Sequence, residues 1–237
     1  MRKAIKRLMA KAMPVYLVEQ VTTEVRLATR RMFTARSVRR SLASQNGCRV
    51  NVGCGKNPIQ GWINLDVVSY PGVYFWDCRS GLPFEDGTVT AIYSEHFFEH
   101  LDLETEARPF LGECLRCLQS GGVLRLVVPD AGSYLRAYSG PWEPLAHMRP
   151  LDPIADGWRD KRLGWIYQTR MQFMNAIFRQ RYEHKYAYDD ETLVLVLREA
   201  GFADAVVQQF GISIDPNMAP DSEDRRTESL YVEAVKQ

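Results

Sequence analysis

Short apolar runs and longer helical repeats alternate along the chain after residue 46. Runs typical of strands occur at 48–55, 62–68, 72–77, 89–94 and 123–130, and again at 204–210 and 229–235. Helical spacing occurs at 103–119 and 189–200, and Gly201 is expected to end the second helix. The alternation predicts an α/β fold with a doubly wound, mostly parallel, Rossmann-like seven-stranded sheet. The last two strands are expected to form an antiparallel edge hairpin.

The first 46 residues form a basic arm outside this alternation. Residues 2–13 predict an amphipathic helix that Pro14 interrupts, and a second helical run carries an apolar stripe at Val18, Val21, Val25, Ala28 and Met32. Residues 1–45 contain eleven Lys or Arg and two acids, a net charge of +9, whereas the remainder has a net charge of −8. We expect the arm to lie across the body or to pair with a second subunit. Contact with an anionic membrane surface is the alternative.

A second interruption occurs at residues 138–187. The segment is rich in aromatic residues and arginines, and residues 164–180 predict a helix. An insertion of this composition after a late strand is typical of a helical lid that forms a wall of a substrate site. A packed cap without a role in specificity is the alternative. We therefore predict an arm at 1–46 and one domain at 47–237 that contains the lid at 138–187.

Four successive predicted strands end in residues that suit a nucleoside ligand. The first ends in Gly53 and Gly55, which let a ligand approach the backbone, and the next two end in the carboxylates of Asp66 and Asp77. The fourth ends at residues 94–96. In open α/β sheets ligands bind beyond the carboxyl ends of the strands. A dinucleotide fingerprint is absent, because the third glycine and an acid about twenty residues later are both missing. The pattern favours an adenosine without a phosphate.

The chain resembles the class I S-adenosylmethionine-dependent methyltransferases in four segments: VNVGCGKNPIQGWINLDV, LPFEDGTVTAIYSEHFFEHL, LRCLQSGGVLRLVVPD and YDDETLVLVLREAGF. It is most similar to a small bacterial branch that is associated with polysaccharide and cell-surface glycan assembly. The resemblance covers residues 48–237 apart from the lid. It is specific for the cofactor and does not specify the methyl acceptor.

This resemblance implies S-adenosyl-L-methionine as the cofactor and assigns the strand ends to its parts. The glycine loop would wrap the methionine part, and the acid of the second strand would hold the ribose hydroxyls. The acid of the third strand and the cysteine after it would face the adenine, and the fourth strand end would border the sulfonium. Asn51 stands where the family usually has an acid. The predicted cofactor-binding residues are Asn51, Gly53, Cys54, Gly55, Asp66, Asp77, Cys78, Ser94 and His96.

His96, Glu99 and His100 stand in the spacing H-x-x-E-H, which is also a zinc-protease signature. Such a zinc site requires both histidines on one helix, whereas here a strand signal ends at Ser94 and the main helix signal begins near Leu103. We therefore predict no metal at this motif. His96 is expected to line the pocket, while Glu99 and His100 brace the next turn.

Methyl transfer to a hydroxyl requires alignment and a general base. His96 is the first candidate base, followed by Asp130 and His184; the alternative roles are an N-cap for Asp130 and a hinge or surface residue for His184. We predict O-methylation of a sugar, a glycan or a small lipid-linked metabolite. A non-catalytic assembly or regulatory subunit with the same fold is the alternative. The acidic body argues against a nucleic-acid partner.

The cysteine content and hydropathy bear on the cellular compartment. Five cysteines in 237 residues do not predict a disulfide framework and fit a reducing cytoplasm. No run of eighteen apolar residues predicts a membrane span. We expect a cytoplasmic protein, with the inner membrane face as the alternative location.

Overall fold

The chain folds around a central sheet and has the predicted α/β architecture. The structure is a computed structural model that describes residues 14–216, 218 and 220–237. The strands are β1 (Cys48–Val52), β2 (Ile63–Asp66), β3 (Val73–Phe75), β4 (Val89–Glu95), β5 (Leu118–Pro129), β6 (Leu151–Ile154), β7 (Gly157–Asp160), β8 (Ile166–Tyr167), β9 (Asp204–Gln208) and β10 (Ser229–Val235). The helices are α1 (Val15–Leu42), α2 (Arg108–Cys117), α3 (Ala131–Tyr138), α4 (Trp142–Met148), α5 (Arg170–Arg179) and α6 (Asp190–Glu199).

Within the described residues the large sheet has seven strands in the order β3-β2-β1-β4-β5-β10-β9. Strands β1 to β5 pair in parallel, whereas β10 pairs antiparallel with both β5 and β9. The mostly parallel sheet and its antiparallel C-terminal strands are confirmed. The predicted edge pair is confirmed as well: β9 forms the edge of the sheet, and β10 joins it to β5. Residues 230–234 of β10 are all buried, which requires neighbours on both sides.

Helices α2 and α6 pack on the sheet close to the predicted positions. The α6 helix begins after Asp189, whose carboxylate accepts a hydrogen bond from Thr192 N at 2.9 Å and caps the helix. The helix predicted at 103–119 ends earlier, at Cys117, because the next residue, Leu118, begins β5 and pairs with Val89. Its first turn, Leu103–Ala107, is a wider π-helical turn.

Helix α1 lies against β3 with a face that matches the predicted stripe only in part. Val18 of the stripe is buried, as are Leu27 and Leu42 outside it, whereas Val25 is 60% and Met32 82% exposed. The stripe was wrong at these two positions because the position of the helix on the sheet, and not its apolar periodicity, selects the packed face. The amphipathic helix predicted at 2–13 falls outside the described residues. None of the described helices is long and apolar enough to cross a bilayer.

The lid at 138–187 contains α4, α5 and a small antiparallel sheet of β6, β7 and β8. The helix predicted at 164–180 begins only at Arg170, because Thr169 and Gln172 form a capping box there and Ile166 pairs with β7. The lid packs around its own apolar cluster, which includes Leu145, Phe173 and Ile177. The insertion therefore has an apolar cluster of its own and a three-stranded sheet that is separate from the seven-stranded one.

Candidate active site

A large cavity of about 830 Å³ lies between the carboxyl ends of the strands and helix α1. The sheet contributes Gly53, Asp66, Asp77 and Cys78 to its wall, and these belong to the predicted cofactor set. The opposite wall comes from α1 and from the end of the lid. A volume of this size lies in the range of small-molecule sites. The ends of β1, β2 and β3 meet at this cavity, whereas Ser94 and His96 at the end of β4 do not line it.

The loop after β1 depends on glycine at position 53. Gly53 has φ +69°, and a Cβ atom there would lie 2.4 Å from Cβ and Cγ of Phe97. Gly55 also has a positive φ, and its N–H donates to Asp66 Oδ2 at 2.8 Å. This hydrogen bond connects the loop to the end of β2. Only a residue without a side chain fits between the loop and Phe97.

Asn51 supports the glycine loop from behind. Its side chain is buried and donates to Asn64 Oδ1 at 3.0 Å and to the Asn57 carbonyl at 3.4 Å. It does not reach the cavity wall. The Ser94 hydroxyl is fully buried without a hydrogen-bond partner among the described residues. Burial and the nearby Asp66 carboxylate raise the pKa of the Cys54 thiol to about 12, so this thiol is neutral and unreactive.

The two carboxylates on the cavity wall are held in different ways. Asp66 accepts hydrogen bonds from Gly55 N and Val68 N, both at 2.8 Å. Asp77 is buried and receives Nε and Nη2 of Arg79 at 2.9 and 2.8 Å. Burial opposes ionisation of Asp77, but the bonds from Arg79 outweigh it and lower its pKa. Asp77 is therefore an anionic acceptor at neutral pH.

Helix α1 covers the cavity and contacts Arg79, the arginine that also binds Asp77. Nη1 and Nη2 of Arg79 bind the two carboxylate oxygens of Glu24 at 2.8 and 3.0 Å. Arg31, also on α1, lies 3.4 Å from Asp77. At the far end of the cavity Tyr16 stacks on Tyr182 of the lid, with ring centroids 5.5 Å apart. The described part of the arm thus lies across the body and forms one wall of the cavity.

The cavity residues fit S-adenosyl-L-methionine, the cofactor implied by the resemblance. The glycine loop leaves room beside the backbone, and the oxygens of two carboxyl groups offer acceptors for ribose hydroxyls and an exocyclic amine. Asp66 and Asp77 would hold the adenosine part, with Cys78 beside the base. Among the described residues, Gly53 is the one glycine of the cavity wall.

A second group of polar residues lies next to this cavity, at the end of β4 and the end of the lid. We name its members His96, Glu99, His100 and His184 the histidine cluster. His96 has φ +50°, a conformation that is uncommon for residues other than glycine and that clusters at functional sites. Its Nε2 lies 2.8 Å from Ser229 Oγ, and its Nδ1 lies 3.4 Å from Glu99 Oε1.

Glu99 is the centre of the histidine cluster. Glu99 is 2% exposed, and its backbone carbonyl accepts hydrogen bonds from Lys185 N and Tyr186 N at 2.8 and 3.3 Å. These bonds bring the end of the lid against β4. Burial opposes ionisation of the Glu99 carboxyl, but His96 and the other two imidazoles outweigh it and lower its pKa to about 2. The carboxylate is therefore ionised across the neutral range.

The other two histidines are fixed by backbone carbonyls. His100 Nδ1 lies 3.1 Å from the Glu183 carbonyl, and His184 Nδ1 lies 2.6 Å from the Ile177 carbonyl. His184 Nε2 faces Glu99 Oε1 at 3.8 Å. The pKa of His184 is lowered, because burial and the nearby His100 outweigh the attraction of Glu99. The two rings meet edge to face, with centroids 4.7 Å apart.

A small cavity of about 200 Å³ opens beside the cluster. The histidine cluster lines it together with Arg149, Arg225 and Glu228. His100 lines both cavities, so the two are neighbours. The arginines and Glu228 were not predicted as site residues, because they lie far from the strand ends in sequence and had no recognisable motif. They form ion pairs, with Arg225 Nη1 at 2.5 Å from Glu228 Oε1.

The three candidate bases lie in different surroundings. His96 and His184 both line the small cavity, on either side of Glu99. Asp130 lines neither cavity; its carboxylate accepts from Ser133 N at 2.9 Å and from Ser133 Oγ, and thereby caps α3. The structure thus gives Asp130 the alternative role, that of an N-cap. His96 precedes the short 3₁₀ helix Phe98–His100, so the two histidines of the motif do not share one helix.

One family model matches part of this chain, and several solved structures are similar to it. The family model described as "Methyltransferase domain" matches residues 73–126, from β3 into β5. No curated protein matches the sequence. Among solved structures, an S-adenosylmethionine-dependent methyltransferase from Archaeoglobus fulgidus has 17% identity and a TM-score of 0.46 over 87% of this chain and 94% of its own. One from Mesorhizobium loti has 16% identity and a TM-score of 0.45 over 86% and 97%. At such values these two likenesses carry no argument about the acceptor.

Proposed function

We propose that this S-adenosylmethionine-dependent methyltransferase transfers its methyl group to a hydroxyl oxygen, with His96 as the general base. The enzyme class and the cofactor rest on the matched methyltransferase domain and on the order of the strands. When bound, S-adenosyl-L-methionine supplies a methyl group on a sulfonium that is already activated for direct displacement. The protein has to align the acceptor and take up its proton.

The arrangement around His96 carries the proposal. The Glu99 carboxylate can only accept, so it favours a proton on Nδ1 of His96, 3.4 Å away. Nε2 then has a free lone pair, and the Ser229 hydroxyl lies 2.8 Å from it. An imidazole held in this way accepts a proton from a hydroxyl group. In the proposed reaction the acceptor hydroxyl would replace the Ser229 hydroxyl as the hydrogen-bond partner of Nε2, and Nε2 would take up its proton as the bound cofactor supplies the methyl group.

The lining of the small cavity supports a polar acceptor. Arg149, Arg225, Gln180 and Glu228 surround the space next to the histidine cluster. Beside the ion pairs of Glu228 with Arg149 and Arg225, these groups offer donors and acceptors to several hydroxyls at once. A sugar or glycan is therefore the acceptor class that we propose, in line with the family branch that the sequence resembles.

The test combines a labelled cofactor with one matched pair of variants. We expect the wild type to transfer labelled methyl to a sugar or glycan fraction of a bacterial extract. His96→Ala should reduce turnover by about 10²- to 10⁴-fold, because a general base contributes that much. Its affinity for the cofactor in calorimetry should stay within a few-fold. His147→Ala, an exposed histidine in α4, should turn over like the wild type.

Two outcomes would contradict the proposal. Unchanged turnover of His96→Ala would remove His96 as the base. Label found only on nitrogen acceptors would exclude O-methylation while leaving the cofactor assignment intact.

A further inference from the structure

We infer that Glu99, His100 and His184 bind a divalent transition-metal cation such as Zn²⁺. One ligand atom from each of the three residues lies within 4.8 Å of the others. Two imidazole nitrogens and one carboxylate oxygen are a donor set that suits Zn²⁺ and related first-row cations. The inference does not depend on the identity of the methyl acceptor.

The Glu99 carboxylate is the first argument for a cation. It is 2% exposed, and neither of its oxygens accepts a hydrogen bond from any described residue. The ion pair with His96 Nδ1, at 3.4 Å, is longer than the roughly 2.7–2.9 Å of a well-formed charge-assisted hydrogen bond. Buried charges in proteins are paired and hydrogen-bonded or coordinate metals. A cation at this carboxylate would provide the missing partner.

The hydrogen bonds of the two imidazoles are the second argument. Nδ1 of His100 and Nδ1 of His184 each face a backbone carbonyl, of Glu183 and of Ile177, and a carbonyl can only accept. Both Nδ1 atoms must therefore carry the proton, which leaves the Nε2 lone pairs free in the neutral rings. A lone pair of His184 Nε2 would then face Glu99 Oε1 at 3.8 Å, an unfavourable contact unless a cation lies near both. Metal-binding histidines typically donate their other N–H to a carbonyl in this manner.

The surroundings leave room for such a cation. Three protein ligands occupy fewer positions than zinc takes, so water or a substrate oxygen would complete the coordination from the small cavity. The arginines of the small cavity do not repel the cation as unpaired charges, because Glu228 forms ion pairs with Arg149 and Arg225. The H-x-x-E-H spacing places Glu99 and His100 side by side, and the end of the lid supplies the third ligand.

The test is a titration of the full chain after treatment with a chelator. Co²⁺ is added and followed by its visible absorption, and Zn²⁺ is then added in competition under calorimetry. We expect one cation per chain in the wild type. Glu99→Gln and His184→Ala should weaken binding on the order of tenfold or more, since even the loss of an outer-shell partner costs that much. The matched control His147→Ala should bind like the wild type.

The inference is overturned if the wild type shows no saturable one-to-one binding, or if Glu99→Gln and His184→Ala keep the wild-type affinity. Circular dichroism melting of each variant reports whether it folds. Should Glu99→Gln fail to fold, His100→Ala and His184→Ala decide the question, because both residues lie at the cavity wall. Failure of methyl transfer to a hydroxyl would leave this titration unaffected, so the two proposals fail separately.

Discussion

The large cavity and the histidine cluster differ in how their charged groups are satisfied. In the large cavity, Asp66 accepts two backbone N–H groups, and Asp77 is held by Arg79. In the cluster, Glu99 is buried to the same degree as Asp77, but its carboxylate accepts no hydrogen bond from a described residue. The carboxylates of the first site are held by the protein itself and present spare lone pairs to a ligand. The carboxylate of the second site has His96 and His184 at 3.4 and 3.8 Å but no hydrogen-bond donor among the described residues.

This difference indicates separate roles for the two regions. A site whose anions are already fixed orients a ligand without changing its own structure. A buried carboxylate surrounded by imidazoles instead attracts a proton or a cation. The two regions share one residue, His100, at the boundary of their cavities. Changes in one region should therefore leave ligand binding in the other largely intact, and Asp66→Asn and Glu99→Gln test this separation.

The largest effect is expected from Gly53→Ala. The new Cβ would lie 2.4 Å from Phe97, in a backbone conformation that alanine rarely adopts. The left-handed conformation costs about 1–2 kcal/mol, and overpacking adds about 1–3 kcal/mol. The free energy of unfolding in urea should fall by about 2–5 kcal/mol, with a loss of cofactor binding in calorimetry.

Gly55→Ala is the matched control for this substitution. Gly55 has a similar positive φ, but a Cβ atom there would meet nothing within 4 Å. Only the backbone cost of about 1–2 kcal/mol is expected. Equal destabilisation by the two substitutions would show that contact with Phe97 does not restrict the loop.

Asp66→Asn should have an intermediate effect that is confined to the large cavity. The amide oxygen can replace one acceptor, but the NH₂ group would face a backbone N–H of Gly55 or Val68. Hydrogen bonds to charged groups contribute about 1.5–3 kcal/mol, so cofactor affinity in calorimetry should fall about ten- to hundredfold. Co²⁺ binding to the histidine cluster should be unchanged.

The reciprocal variant completes this comparison. Glu99→Gln is expected to lose Co²⁺ binding while it keeps the cofactor affinity within a few-fold. If both substitutions weakened both ligands equally, the two regions would form one coupled site, and the separation argued above would be wrong.

The smallest effect is expected from Glu24→Gln on helix α1. Glu24 is 52% exposed at its side chain, and it binds Arg79 over the large cavity. Exposed ion pairs contribute about 0.2–1 kcal/mol. The free energy of unfolding should fall by less than about 1 kcal/mol, and the cofactor should dissociate a few-fold faster in stopped-flow measurements.

Glu19→Gln is the control for the cover formed by α1. Glu19 lines the same cavity from the same helix, and no ion pair connects it to another residue in the described part of the chain. Glu19→Gln should leave the dissociation rate of the cofactor unchanged. A similar acceleration by both variants would attribute the effect to the charge of the helix and not to the contact with Arg79.

Apolar periodicity predicted the strands well and the packed face of α1 poorly. A strand in a parallel sheet is buried on both faces, so its run of apolar residues marks it directly. A helix on the surface shows several apolar positions, and its neighbours decide which of them are covered; Leu27 is buried and Met32 exposed for this reason. The small sheet of the lid had no such signal, because its strands are two to four residues long.

The sequence by itself determined the sheet and the positions of Gly53, Asp66 and Asp77, because parallel strands bring their carboxyl ends to one edge. Only the tertiary structure decided that α1 closes the cavity over them and that Asp130 caps a helix. It also decided the histidine cluster, since Glu99 and His184 are 85 positions apart and meet only where the lid returns to β4. Local sequence patterns encode the periodicity of the backbone. The contacts of an inserted segment depend instead on the positions of residues that are distant from it in sequence.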